Sequence, residues 1–138
     1  MAEGTGLIKR FYTEVIEGGN LDRIDELVVD DVLDHEEGLP GQPPGREGVH
    51  FYVTAMRAAF PDLKVKTSGP ALADGNLEAM HVVLTGTHQG DMAGIAPTGR
   101  SVEFGGIDII RVEGGKVAEH WGVTDTLTLM QQIGAVPQ

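Results

Sequence analysis

The sequence contains no cysteine, which excludes a disulfide framework, a thiolate nucleophile and a cysteine-based zinc site. Basic residues are scarce: 10 Lys and Arg face 21 Asp and Glu, for a formal net charge of -11. That balance argues against a nucleic-acid partner, since phosphate contacts need clustered cations, and against an anionic membrane surface. No apolar run approaches the roughly 20 residues needed to span a bilayer. The opening Met1-Ala2-Glu3-Gly4-Thr5 is too polar for a secretory signal, so a cytoplasmic protein is expected. Metal-ligand spacing is absent as well: there is no His-Glu-x-x-His pairing, and His35-Glu36-Glu37 are adjacent residues that point in different directions. No glycine-rich loop leads into a helix with a following Lys, so no nucleotide cofactor is implied and none is expected. With one Trp, two Tyr and four Phe, a pocket would be walled mainly by aliphatic side chains and Met.

What is present reads as one domain over residues 1–138, long enough to bury a core. Ile8, Phe11, Tyr12 and Val15 share one face of a first helix that Gly18-Gly19 stops. Asn20 is placed to N-cap a short second helix carrying Leu21, Ile24, Leu27 and Val28. Asp30 to His35 reads as a strand, and Gly38 to Gly45 must be a loop because of its prolines and glycines. Val49, Val53, Met56 and Phe60 define a third helix, ended by Pro61. Beyond Pro61 the apolar period drops to two. Leu63–Ala73, Leu77–Gly90, Ser101–Val112 and Val117–Val123 read as successive strands, with Asp74-Gly75-Asn76 and Glu113-Gly114-Gly115 as hairpin turns. A last helix carries Leu127, Met130 and Ile133 and stops at Gly134. Helices first and a meander afterwards predict an α+β fold.

Alternation assigns side chains to sheet faces. Val102, Phe104, Gly106, Asp108, Ile110 and Val112 share one side of their strand, so Asp108 is a lone acid in an apolar row. A carboxylate there needs a partner or must hold its proton. Met80, Val82, Leu84, Gly86 and His88 form another apolar row, with His88 at its end, where a cavity mouth could open. His81 falls on the mixed face. Glu119-His120-Trp121-Gly122-Val123-Thr124-Asp125 is the densest stretch in chemistry: an acid/base, an aromatic wall and a charge within a few residues. Alternation sets His120 opposite Trp121 and Asp125. Either only one of His120 and Asp125 enters a cavity, or a bulge near Gly122 re-aims the chain. Asp125 also stands where it could cap the last helix.

Several of these segments, in order, resemble the SnoaL-like polyketide cyclase (ester cyclase) family. They are Asp34-His35, Gly45-Arg46-Glu47-Gly48, Ala59-Phe60-Pro61-Asp62-Leu63, Gly86-Thr87-His88-Gln89-Gly90, Gly94, Pro97-Thr98-Gly99-Arg100, Gly106-Ile107-Asp108-Ile109-Ile110-Arg111, Gly115-Lys116-Val117, the Glu119–Asp125 run and Gln131-Gln132-Ile133-Gly134. The resemblance spans about Phe11 to Gly134. It implies the cone-shaped α+β barrel shared with ketosteroid isomerase and nuclear transport factor 2, in which N-terminal helices pack on a curved, mostly antiparallel sheet around an apolar pocket. It further implies homo-oligomers formed through the sheet, and a cofactor-free aldol ring closure of a polyketide-like substrate. On that resemblance Asp125 is the first choice for acid/base among Asp125, Asp108, His120, His88 and His35; His120 is the candidate assistant or substrate hydrogen-bond partner, and His35, His88, Asp108 and Trp121 are the candidates to contact a hydrophobic substrate. The Asp108 run also looks like the ketosteroid isomerase strand whose acid lines the oxyanion site. The same fold serves hydroxylases, isomerases and non-catalytic binding proteins, so those functions are the alternatives.

Overall fold

The computed structural model describes residues 6–137, so the Met1–Thr5 segment lies outside the described residues. The first helix opens as one α-turn, α1 (Leu7–Arg10), and continues as a π-helical stretch over Phe11–Glu17. Ile8, Val15 and Ile16 are buried, whereas Phe11 and Tyr12 are only half-buried. The widened turns therefore split the apolar face predicted from the sequence: part goes to the core, and Phe11 and Tyr12 line a cavity. The Ile8 N–H, unpaired within so short a helix, donates to the buried Glu78 carboxylate at 3.1 Å.

The second helix, α2 (Asp22–Leu27), corrects the predicted cap. Asn20 serves it through its backbone carbonyl, which accepts from the Arg23 N–H, and no side chain caps the helix. Strand β1 (Val28–Asp34) and the proline-rich loop follow. The long helix α3 (Gly45–Ala59) then buries Val53, Met56 and Ala59 against the sheet and ends, as predicted, just before Pro61.

Four long strands complete the sheet: β2 (Lys64–Asp74), β3 (Leu77–Thr87), β4 (Ser101–Glu113) and β5 (Lys116–Thr124). Helix α4 (Thr126–Gln132) closes the chain. The spatial order is β1-β5-β4-β3-β2, antiparallel throughout except where β1 runs parallel to β5. The result is the expected α+β cone: a mixed sheet, curled but not closed, with helices on its inner side. Gly114 and Gly115 turn β4 into β5 with φ of +58° and +77°, a pairing that tight hairpin turns demand and side chains resist.

The inner face of the sheet is apolar, as alternation required. Met80, Val82, Leu84, Val102, Phe104 and Ile110 are all buried there, together with Val15, Ile24, Val53 and Phe60 from the helical side. The outer face leaves Ile107 at 55% and Val123 at 75% exposure. Among the described residues, no helix is long and apolar enough to cross a membrane.

Candidate active site

A cavity of about 600 Å³ opens between the first helix, α3, α4 and the inner face of the sheet. Its wall is largely aliphatic and Met, as the small aromatic count implied, and no Lys or Arg lines it. The polar groups gather at one end, where β1, β4 and β5 lie side by side. Pairing places Asp34 level with His120, and Asp108 level with Gly122.

His120 is the centre of this cluster. Its Nε2 lies 2.8 Å from Asp108 Oδ1 and its Nδ1 2.9 Å from Asp34 Oδ1. Burial alone would push the imidazolium pKa down. The hydrogen bonds to Asp108 and Asp34 outweigh burial and hold the pKa up at about 10, so the ring carries both protons at neutral pH. Burial likewise works against the Asp34 carboxylate, yet the hydrogen bond from His120 wins and lowers its pKa.

Asp108 is buried in its apolar row, as predicted, and the first helix and β5 supply the partners it needs. The Tyr12 hydroxyl donates to Oδ2 while His120 takes Oδ1. Burial first, and then the Asp108 charge, raise the Tyr12 phenol well above its ordinary value, so it stays a donor. Tyr52, also on the cavity wall, is raised chiefly by burial.

Glu36 completes the group. One carboxylate oxygen accepts from the Thr124 hydroxyl at 2.9 Å, and the other lies 3.9 Å from His120 Nε2. Burial raises its pKa, the Thr124 bond opposes that rise, and the nearby Asp108 charge adds to it. One donor atom from each of Glu36, Asp108 and His120 lies within 4.8 Å of the other two. Atoms this close can hold a cation, and the hydrogen bond already made between His120 and Asp108 suits a shared proton. Their positions in the chain, 36, 108 and 120, gave no ligand spacing to read.

The other predicted site residues lie outside the cavity lining. Pairing of β5 with β4 is continuous from Glu119 to Thr124, so no bulge occurs at Gly122. The shift falls at Ala118 instead, before the motif, and leaves His120 inward with Trp121 and Asp125 outward. Trp121 stacks on His35 with ring centroids 5.1 Å apart, and His35 Nε2 lies 2.6 Å from Glu119 Oε2. Asp125 caps α4: Thr128 donates its N–H at 3.1 Å and its hydroxyl at 2.7 Å. The two Thr128 bonds, that from the side chain first, lower the pKa of this exposed acid. His88 does not open onto a cavity mouth. It is fully buried against Phe60, its Nδ1 accepting from the Thr98 N–H at 3.2 Å and its Nε2 without a partner among the described residues. The loop from Asp91 to Gly99 closes over it, because the flanking strand ends pair through His88 and Arg100.

With this geometry in view, comparison with known proteins places the chain. A family model for SnoaL-like polyketide cyclases matches residues 6–133. The chain belongs to the SnoaL-like polyketide cyclase family. Among solved structures, IdmH from Streptomyces antibioticus, a candidate polyketide cyclase, is 33% identical, with 93% of this chain and 96% of that one covered and a TM-score of 0.75. TsrD from Streptomyces laurentii is 25% identical, with 94% and 93% covered and a TM-score of 0.82. AclR from Streptomyces galilaeus, a candidate hydroxylase, is 27% identical, with 96% and 81% covered and a TM-score of 0.79. No curated protein sequence matches.

Sequence reasoning missed Tyr12, Asp34, Glu36 and Thr124. Tyr12 was legible in part: a phenol on an apolar helix face needs a buried partner for its hydroxyl. Thr124 follows from His120 by alternation once the inward face of β5 is known.

Proposed function

We propose that this protein is a cofactor-independent acid/base enzyme that closes a ring in a hydrophobic, polyketide-like substrate by an intramolecular aldol reaction. The observation that carries this reading is the convergence of Glu36, Asp108, His120 and Tyr12 at the end of an apolar cavity. The Glu36 carboxylate, its proton affinity raised, takes a proton from the carbon between two substrate carbonyls. The enolate carbon then bonds to a third, more distant carbonyl carbon of the same molecule, whose C=O π bond breaks and leaves the electron pair on its oxygen. A proton returned from the His120–Glu36 cluster completes the aldol. The Tyr12 hydroxyl and the His120 Nε2–H, both held by Asp108 in the free protein, exchange that carboxylate for the developing oxyanions, while Asp34 keeps Nδ1. Asp125, the first choice from family resemblance, is left with the helix cap, because both of its oxygens are taken by Thr128 outside the cavity.

The test is a panel of polyketide esters assayed for binding and turnover with the parent protein and with Glu36→Gln. Turnover by the parent and its loss in the variant, with binding retained, is the expected result. Tight binding with no turnover in either would favour the second reading, a carrier of hydrophobic small molecules, which the aliphatic wall alone would serve.

The same reading includes a homodimer formed through the outer sheet face, where Ile107, Ile109 and Val123 stand exposed. Light scattering should report about twice the 14.7 kDa chain mass, and Ile107→Asp should return it to one chain.

A further inference from the structure

Strand β5 presents His120, Gly122 and Thr124 to the cavity in succession, and the middle residue has no side chain. The Glu36 side chain lies across that gap, bonded to Thr124 at one oxygen and facing His120 with the other. A Cβ built on Gly122 would stand 2.4 Å from Glu36 Oε1, 2.6 Å from Asp108 Oδ1 and 2.9 Å from His120 Nε2. Each contact is well inside the roughly 3.5 Å at which non-bonded carbon contacts become favourable. Gly122 is not among the glycines with positive φ, so the backbone does not demand glycine here. The demand is for room. A glycine inside a strand, where it costs stability, marks just such a close approach.

The three neighbours are not equally free to move. Asp108 is tied by Tyr12 and His120, and His120 by Asp34 and Asp108. The Glu36 side chain has the Thr124 bond and sits beyond the end of β1, on the irregular segment leading to α3. A side chain at 122 would strike all three groups; Glu36, the nearest and the least tied, moves furthest, and the Asp108–His120 pair shifts less.

We propose that Gly122 is a positioning residue: its missing side chain is the seat of the Glu36 carboxylate, and any larger residue there evicts Glu36 from the proton-sharing cluster. The proposal rests on the reading of Glu36 as the group that takes the substrate proton. Its test is a double-mutant cycle of Gly122→Ala and Glu36→Ala, read by turnover, by melting temperature and by NMR titration of the His120 ring. If Gly122 acts through Glu36, each single variant lowers turnover by a similar factor, about a hundredfold, and the double variant is no worse than either. Glu36→Ala should also recover part of the melting temperature lost in Gly122→Ala, because it removes the group that is struck hardest. The His120 titration in Gly122→Ala should match that in Glu36→Ala. Multiplying losses in the double variant, or no recovery of stability, would overturn the proposal. Should Gly122→Ala fail to fold alone, a folded double variant supports the seat and an unfolded one removes it. Failure of the acid/base reading looks different: Glu36→Ala then keeps full turnover while the recovery of stability and the matching titrations persist.

Discussion

Two histidines sit on the inner side of the same sheet and have opposite chemistry. His120, on β5, has a carboxylate on each ring nitrogen and faces the cavity. His88, just past the end of β3, is buried more completely, with one nitrogen held by Thr98 and the other unpaired. The two rings share burial and differ in their partners. Two acids override the desolvation of His120 and keep it charged; His88 has no acid hydrogen-bonded to it, and its bonds tie down a loop.

The sharpest way to break this comparison is to remove the His120 charge. His120→Gln keeps a hydrogen-bonding side chain but cannot supply the proton, and turnover should fall by roughly a hundredfold or more. Steady-state kinetics on a substrate the parent converts checks this, with circular dichroism to confirm the fold. Unchanged kcat in a folded variant would remove His120 from the chemistry.

Next in size is the pH dependence of stability that His120 imposes. Its pKa is raised on folding from an ordinary 6.5 to about 10, so the folded state binds its proton more tightly than the unfolded chain does. The stabilisation is fully present below about pH 6.5 and is lost as pH rises through 10, with a slope approaching about 1.4 kcal/mol per pH unit between them. Asp34 acts on the other limb: its lowered pKa contributes above the ordinary carboxylate range and is lost as pH falls below it. Denaturant melts from pH 6 to 10 should show the alkaline slope in the parent and its absence in His120→Gln.

His88 should show the reverse pattern. His88→Leu fills similar space but leaves the Thr98 N–H and hydroxyl without their acceptor beneath the Asp91–Gly99 loop. Thr98 is exposed, so water takes up its N–H and hydroxyl, and a loss of about 0.5–1.5 kcal/mol, the net worth of a hydrogen bond, is expected in urea unfolding. Turnover in the folded fraction should stay close to that of the parent, since His88 does not line the cavity.

The contrast also shows what a sequence can carry. The change of period at Pro61 foretold the architecture, because burial against one face acts on every residue of a strand or helix. Asp108 was legible for the same reason, as an interruption in its apolar row. His120 against Asp125 was legible only as a choice, since alternation separates the two faces without saying which one meets the cavity. Register decided it: the shift lies at Ala118, not at Gly122. Glu36 and Asp34 were out of reach because their roles come from the parallel pairing of β1 with β5, a contact between segments more than eighty residues apart that leaves no local periodicity. Tyr12 reached Asp108 from a helix read as regular, and the π-helical turns that carry it have no mark in the apolar spacing.

The smallest expected effect belongs to Asp125, and it tests which end of the β5 motif carries the chemistry. Its two oxygens accept from Thr128, in the geometry of a helix N-cap, and its pKa is lowered because those bonds favour the charged form. Asn caps a helix about as well as Asp, so Asp125→Asn should leave both melting temperature and turnover nearly unchanged. Asp125→Ala removes the acceptor for the Thr128 N–H and should lower the melting temperature by a small, measurable amount while kcat holds. His120 and Asp125 would then divide cleanly: a substitution at 120 is felt in turnover, one at 125 in α4. A large loss of turnover in a well-folded Asp125→Asn variant would reverse that division, since Asn keeps the acceptor for the Thr128 N–H and gives up the charge and the capacity to take a proton.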